Sequence, residues 1–308
     1  PVLWHESIKG LNISATGIYV DVTFGGGGHS REILKHLNGG KLFGFDQDPD
    51  AAANVPDDEQ FTFIAQNFKH LKGHLRFHGI KQIDGLLADL GVSSHQFDAG
   101  HRGFTFREDA ALDMRMNQSG PITAADVVNT YAAEDLARIF RMYADLPNAW
   151  NLAKTICAAR DISPIKSTWQ LKEVVEKHTP ARLANKFLAQ VFQALRIEVN
   201  DELGVLKSLI EQATEILKPG GRLVVISYHS LEDRLVKNYM RDGKFEGEAD
   251  KDLYGNRLVP LKALTRKPLT PGDEENEKNS RARSAKLRIA ERTELAFKWK
   301  EKTSLLSF

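Results

Sequence analysis

Gly25, Gly26, Gly27 and Gly28 stand in one unbroken row, between Asp21-Val22-Thr23-Phe24 and His29-Ser30. Glycines let a backbone approach a ligand closely and take up positive φ at little cost. The row follows the apolar run 18–22 and opens a helix-like segment near Ser30, and a helix start offers unpaired N–H groups. Asp46 lies 21 residues beyond Gly25, at the end of a second apolar run, 42–45. In nucleotide-binding α/β sheets an acid at that distance accepts hydrogen bonds from ribose hydroxyls. A plain tight turn also uses glycine, but four in a row with the spaced acid favour a nucleotide-like ligand.

Which nucleotide is a separate question. The dinucleotide pattern G-x-G-x-x-G/A wants a small last residue, and here that place falls on Ser30 or Arg31. There is no G-K-[ST], so the phosphate-binding loop of nucleoside triphosphatases is absent. A ligand with adenosine but no pyrophosphate fits better, and S-adenosylmethionine is the obvious one.

These residues need a scaffold to bring them together. Strand-like runs at 18–24, 42–45, 61–64, 83–92 and 222–228 alternate with helix-like runs at 30–37, 68–77, 203–217 and 230–240. That rhythm predicts an α/β fold with a mostly parallel sheet covered on both faces. A last strand pair is expected at 264–269 and 285–291, with a mobile polar loop, 271–279, between them. From about Gly100 to Asn200 no strand stands out, and Leu136, Ile139, Phe140 and Tyr143 recur at helical spacing, as do Phe187, Leu188, Val191, Phe192, Leu195 and Val199. We therefore expect residues 1–100 and 201–308 to form the core and 101–200 an inserted helical domain for substrate recognition.

Ligands of open parallel sheets bind at the carboxyl ends of the strands. Those ends carry Gly25–His29, Asp46, Asn67-Phe68, Asp89 and His229. Phe68 has the right character to pack on an adenine ring, or simply to fill the core. Arg102-Gly103-Phe104-Thr105-Phe106 and Leu112-Asp113-Met114-Arg115-Met116 could clamp or stack on a nucleic-acid base, or form a packed loop. His229 reads as a site residue or a loop hydrogen-bonder, and Ser230 with Asp233 as a helix cap with an acid in its first turn.

Composition narrows the classes. The chain has 308 residues, 42% apolar and 27% charged, with a net charge of +1, as in ordinary water-soluble domains. No run is long enough to span a membrane, and no signal-peptide pattern is seen. The chain starts at Pro1 rather than Met, and we expect a few further residues before it. One cysteine, Cys157, excludes a disulfide framework and a multi-thiolate metal site, and a cytoplasmic setting with no metal is expected. The segment 256–292 holds ten Lys/Arg against five Asp/Glu, either a solvated face or a track for a phosphate backbone.

Thr23-Phe24-Gly25-x-Gly27-Gly28-His29-Ser30, Asp89-Leu90-Gly91-Val92-Ser93-Ser94, Arg102-Gly103-Phe104, Leu112-Asp113-Met114-Arg115-Met116, Phe192-Gln193-Ala194-Leu195-Arg196-Ile197, Ser227-Tyr228-His229-Ser230-Leu231-Glu232-Asp233-Arg234 and Arg281–Arg288 run in order along essentially the whole chain. Together they resemble the RsmH or MraW family of bacterial small-subunit ribosomal RNA cytosine-N4 methyltransferases. The resemblance implies a class I (Rossmann-like) S-adenosylmethionine-dependent methyltransferase with a mostly parallel seven-stranded sheet and an inserted helical domain. It implies methylation of the exocyclic amine of a decoding-centre cytosine in 16S ribosomal RNA, with the small ribosomal subunit as partner, no membrane, and a homodimer left open. Cofactor contacts then fall on Gly25, Gly27, Gly28, His29, Asp46, Phe68, Asp89 and Gln96, and substrate contacts on Arg102, Phe104, Phe106, Arg115 and His229. Three places depart from the family pattern: Gly26, where relatives are often basic, Phe187–Gln190 and Asp145–Asn148.

A cytosine amine is a poor nucleophile because its lone pair is delocalised into the ring. An acceptor must draw that lone pair out and align it with the methyl group. The D/N/S-P-P-Y/F motif of base-amine methyltransferases is missing, so Asp89 or nearby backbone is the expected acceptor, with Phe104 or Phe106 holding the base. Cys157, without a Pro-Cys context, does not suit a covalent mechanism at C5. Rival readings are a nucleotide-dependent dehydrogenase, a DNA amine methyltransferase, and an assembly factor that keeps the cofactor without using it.

Overall fold

The structure, a computed structural model, describes residues 1–93, 96–97, 99–179 and 181–295; Ser94, the last residue of the Asp89–Ser94 motif, lies outside them. The chain divides into two compact units, Pro1–Gly91 with Val205–Phe308, and Val92–Gly204. The expected insertion, 101–200, falls inside the second unit, which begins nine residues earlier and ends four later.

The first unit holds a seven-stranded sheet in the order β3-β2-β1-β4-β5-β7-β6. Its strands are β1 (Ile18–Asp21), β2 (Lys41–Phe45), β3 (Phe61–Ile64), β4 (Ile83–Asp89), β5 (Leu217–Ser227), β6 (Leu261–Ala263) and β7 (Lys286–Arg292). β1 to β5 are mutually parallel, while β7 runs antiparallel to β5 and β6. Side chains alternate across this sheet with the two-residue period of a strand. Val20, Phe43, Leu86, Leu223 and Val225 join one apolar cluster, with Leu209, Ile210 and Ala213. Tyr19, Leu42, Leu87, Val224 and Ile226 join another, with Leu11 and Ile33. Both faces are therefore covered, and the strands read as near-continuous apolar runs for that reason.

Helices α1 (Trp4–Leu11) and α2 (Gly28–Leu34) supply the second cluster. The first is supplied by α3 (Leu71–Phe77), by α9 (Glu202–Ile216) and by α10 (Ser230–Asp242), the elements α4 to α8 lying between. The helical unit is built from α4 (Ala124–Thr130), α5 (Ala133–Ala144), α6 (Ala149–Ile162), α7 (Thr168–Glu176) and α8 (Ala184–Asn200). It has a core of its own in which Leu136, Phe140, Leu152, Ile156, Leu188 and Leu195 are 0% exposed. Thr123 with Asp126 and Ser167 with Gln170 form capping boxes that start α4 and α7.

Three expectations are corrected. β5 does not begin at 222 as expected: it begins at Leu217, opposite Ile83, and Lys218–Gly221 bulge out before Arg222 pairs with Gly85. β6 lies at Leu261–Ala263 rather than 264–269, and Leu269, after Pro268, keeps only an isolated bridge to Leu287; proline cannot donate to a ladder. The expected loop 271–279 contains a short helix, α11 (Asp273–Lys278), whose first turn carries Asp273, Glu274 and Glu275, and acids there suit a helix start. Leu87 has no exposed surface and fills the face toward α1 and α2, so Leu87→Ala is expected to cost about 2–5 kcal/mol. The check is the urea midpoint, which falls at unchanged slope.

Candidate active site

A buried polar network joins the carboxyl ends of β1, β2, β4 and β5. It begins with Asp21, the last residue of β1, which is 1% exposed. Its carboxylate accepts hydrogen bonds from the Thr23 amide at 3.0 Å and the Ser30 hydroxyl at 2.8 Å. Burial raises the Asp21 pKa, and those two partners hold it partly down. Thr23 Oγ1 in turn accepts from the Asp89 amide at 2.7 Å, so the loop after β1 is pinned to the end of β4.

The glycine row turns by positive φ at Gly25 (50°) and Gly27 (72°), a region that L side chains rarely occupy. Asp46, just beyond β2, straps this turn. Its two oxygens accept from the Gly25 amide at 2.7 Å and the Asp48 amide at 2.8 Å. Asn54 Nδ2 donates to the Gly25 carbonyl at 3.1 Å, and Arg31 Nη1 to the Gly26 carbonyl at 2.6 Å. The Phe24 ring packs on Phe61 and Phe63 with centroids 5.2 and 5.3 Å away. Burial lifts the Asp46 pKa to about 6 against the pull of its two backbone donors. A carboxylate has about four lone-pair sites, so both oxygens can accept again. A folded pKa above the unfolded one favours folding only while the group is protonated. This site therefore loses stability as pH rises through about 6, until a hydroxyl donor binds.

Asp89 closes β4. Tyr228, just past β5, donates its hydroxyl to Asp89 Oδ1 at 2.7 Å. His29 Nδ1 lies 3.7 Å from Asp89 Oδ2, and His29 Nε2 is 3.0 Å from the Val2 carbonyl. A neutral His29 must therefore carry its hydrogen on Nε2 and turn the lone pair of Nδ1 toward Asp89. Burial raises the Asp89 pKa, with His29 and Tyr228 opposing, and burial lowers that of His29. Burial and the Asp89 charge together push the Tyr228 hydroxyl well above its ordinary value, so it stays a donor.

The structure brings Gly25, Gly27, His29, Asp46 and Asp89 together at this end of the sheet, and Gly28 opens α2 beside them. Phe68 heads the turn after β3, half-buried against the apolar cluster under the sheet. Gln96 belongs to the helical unit, where its side chain accepts from the Ser93 amide at 3.0 Å. Arg102, Phe104, Phe106 and Arg115 belong there too. Arg102 is 5% exposed and donates to the carbonyls of Arg115 and Met116, both at 3.0 Å. Phe104 is 6% exposed in the helical core, and Phe106 packs edge-on against Phe192 at 5.3 Å. Arg115 forks onto Asp113 at 2.6 and 2.9 Å. Their chemistry holds a packed loop. His229 is the N-cap of α10, with Nε2 3.2 Å from Glu232. The acid that closes that turn is Glu232, accepting from the Tyr228 amide at 2.9 Å, whereas Asp233 pairs with Arg288 at 2.6 Å.

Sequence reasoning missed Asp21, Thr23, Asn54 and Tyr228. Asp21 and Thr23 flank the glycine row, and a buried acid ending an apolar strand was signal enough. The two inner glycines differ in a testable way. A Cβ on Gly26 meets nothing within 4 Å, whereas one on Gly27 sits 3.0 Å from the Phe24 ring and 3.2 Å from Arg31 Nη1. Gly26→Lys is expected to leave the melting temperature nearly unchanged, and Gly27→Ala to lose roughly 1–2 kcal/mol, both read by thermal unfolding.

Comparison with known proteins bears on this arrangement. Residues 1–293 match the MraW methylase family. The ribosomal RNA small subunit methyltransferase H of Flavobacterium johnsoniae is 60% identical over 293 residues, 95% of this chain and 97% of that protein. The one of Cytophaga hutchinsonii is 56% identical over 294 residues, 95% of this chain and 98% of that protein. Among solved structures, an rRNA methylase from Streptococcus thermophilus aligns at 12% identity and a TM-score of 0.42, over 94% of this chain and 95% of that one. The sheet order, not that distant likeness, carries the fold assignment. With a family match along nearly its full length, the chain belongs to the MraW methylase family.

Proposed function

We propose that this chain transfers a methyl group from S-adenosylmethionine to the exocyclic N4 amine of a cytosine in the decoding centre of 16S ribosomal RNA. Its relatives are named for the ribosomal RNA of the small subunit, and the finer target is our reading. The observation that carries it is the partly buried Asp89 carboxylate, held by Tyr228 and facing His29 beside the glycine turn. Among the described residues no helix is long and apolar enough to cross a membrane, and we place the reaction at the small ribosomal subunit in the cytoplasm. The helical unit has its own core, and we assign it to recognition of that subunit.

The residues fit the cofactor. Gly25 and Gly27 open the turn, Gly26 leaves its mouth clear, and Asp46 keeps lone pairs free for the ribose hydroxyls. We assign Phe68 to the adenine ring. When bound, S-adenosylmethionine supplies an activated methyl group. Asp89 accepts a hydrogen bond from the amine and draws its lone pair out of conjugation. Asp89 would take the proton that N4 gives up when the amine is methylated. The raised pKa of Asp89 makes it a competent acceptor, and the Nδ1 lone pair of His29 can take the proton onward. Tyr228 fixes the carboxylate without exchanging protons itself.

The direct test is methyl transfer from labelled S-adenosylmethionine to small subunits from a strain lacking this enzyme, with nucleoside analysis. N4-methylcytidine is the expected product, and cofactor binding without label transfer would instead favour a non-catalytic assembly factor. Asp89→Ala is expected to lower kcat by about 10² or more, and normal turnover would remove Asp89 from its role. Cofactor affinity is also expected to weaken below pH ~6, where Asp46 is protonated and accepts fewer hydroxyls. Calorimetric titration across that range checks it, and Asp46→Asn should flatten the profile.

A further inference from the structure

A groove of about 970 Å³ runs along the β6–β7 edge of the sheet, beside α10. Six cations line it, Lys237, Arg241, Arg257, Lys262, Arg266 and Arg288, and no acidic residue does. Arg288 is committed to Asp233 at 2.6 Å. Arg241 and Arg257 share one buried carboxylate, Asp242, at 2.6 and 3.6 Å, which leaves that trio positive. Lys237, Lys262 and Arg266 are exposed and have no ion pair among the described residues. A protein with no use for concentrated positive charge balances it with acids, and here the acids are absent from the lining.

Beside the groove, the turn that leads into Asn256 and Arg257 holds an aromatic in water. Asp252 organises it, accepting from the Tyr254 amide at 2.9 Å, the Asn256 amide at 2.8 Å and Asn256 Nδ2 at 2.9 Å. Gly255 completes the bend with φ 83°. The turn is thus fixed, yet Tyr254 is 89% exposed and packs on nothing that would account for it. A cationic groove next to a rigid, exposed aromatic is the combination that binds single-stranded nucleic acid, with phosphates on the cations and a base on the ring. An acidic peptide would use the cations but has no need of the ring.

We propose that this groove holds the backbone of a single-stranded RNA segment flanking the methylated base, with Tyr254 stacking on one of its bases. The inference rests on the RNA-substrate reading above and adds a second binding surface to it. β6 lies three strand spacings from β4, roughly 14 Å across the sheet, and its register sets it level with Gly85 and Leu86 rather than with Asp89, so the groove would take nucleotides a few positions away from the methylated base.

The test is binding of a short fluorescent single-stranded RNA to the full chain over a range of salt. Lys237→Ala/Lys262→Ala/Arg266→Ala is expected to weaken binding at least tenfold. Loss of three phosphate contacts is also expected to flatten the slope of log K against log salt by about 2. Tyr254→Ala is expected to weaken binding about tenfold with the slope unchanged. S-adenosylmethionine binding, measured in parallel, stays at the wild-type value in both. Unchanged affinity and slope in the triple variant overturn the proposal, as does displacement of the RNA by poly-glutamate as effectively, charge for charge, as by unlabelled RNA. If the wild type binds RNA in this way but yields no N4-methylcytidine on small subunits, the groove stands and the methylation reading fails. If it yields that product while the triple variant binds RNA normally, the groove alone falls.

Discussion

Holding a carboxylate at the buried end of an apolar strand is the constraint on which the rest of this structure depends. β4 places Leu86, Leu87 and Ala88, all without exposed surface, directly before Asp89. A charge there loses much of its hydration, and that loss is tolerable only with donors in place. The donor comes from a distant segment, the Tyr228 hydroxyl after β5, while His29 after the glycine turn sets the lone pair of Nδ1 3.7 Å from the other oxygen. The Asp89 backbone is anchored as well, through Thr23. The same contacts that make the carboxylate tolerable fix its position, and a fixed acceptor is what the amine of the proposed reaction would require.

The glycine turn follows from the same logic. Asp21 sits one strand away from Asp89, more deeply buried and as dependent on donors, and it takes two of them from the turn and the start of α2. Asp46 does the same from β2. The turn is therefore clamped from two strands, although its glycines are individually free. A clamped loop with open space at Gly26 is preorganised for a ligand without being closed to it. The sheet order makes this possible, because β1 lies between β2 and β4.

Much of this was legible in the residues. The glycine row and Asp46 stand at a fixed spacing on consecutive strands, so local pattern reached them. The sheet itself followed from apolar runs, and the helical unit from Leu136, Ile139 and Phe140 at helical spacing. Tyr228 was not legible as a partner of Asp89, since 139 residues separate them and only the β4–β5 pairing brings them together. For Arg102 and Phe104 the residues left two readings open, because an irregular loop has no period to tell which way a side chain points. Arg and Phe suit a buried loop, bonded to carbonyls, as well as they suit a base. β6 came out a few residues early because Pro268 interrupts the run chosen for it. The basic stretch 256–292 gained meaning only when topology set Lys262 and Arg266 beside Lys237 and Arg241 of α10.

The central claim is that buried carboxylates at the strand ends are tuned for cofactor and amine. The most direct measurement is a carboxyl-carbon NMR titration of aspartate-labelled protein, free and with S-adenosylmethionine, resonances assigned by Asp46→Asn and Asp89→Asn. The account predicts Asp46 titrating near pH 6 in the free chain and moving to lower pH when ribose hydroxyls bind. It also predicts Asp89 above the ordinary carboxylate range, rising further in Tyr228→Phe as a donor is lost. Both groups titrating at ordinary carboxylate values, indifferent to cofactor and to Tyr228, would contradict it.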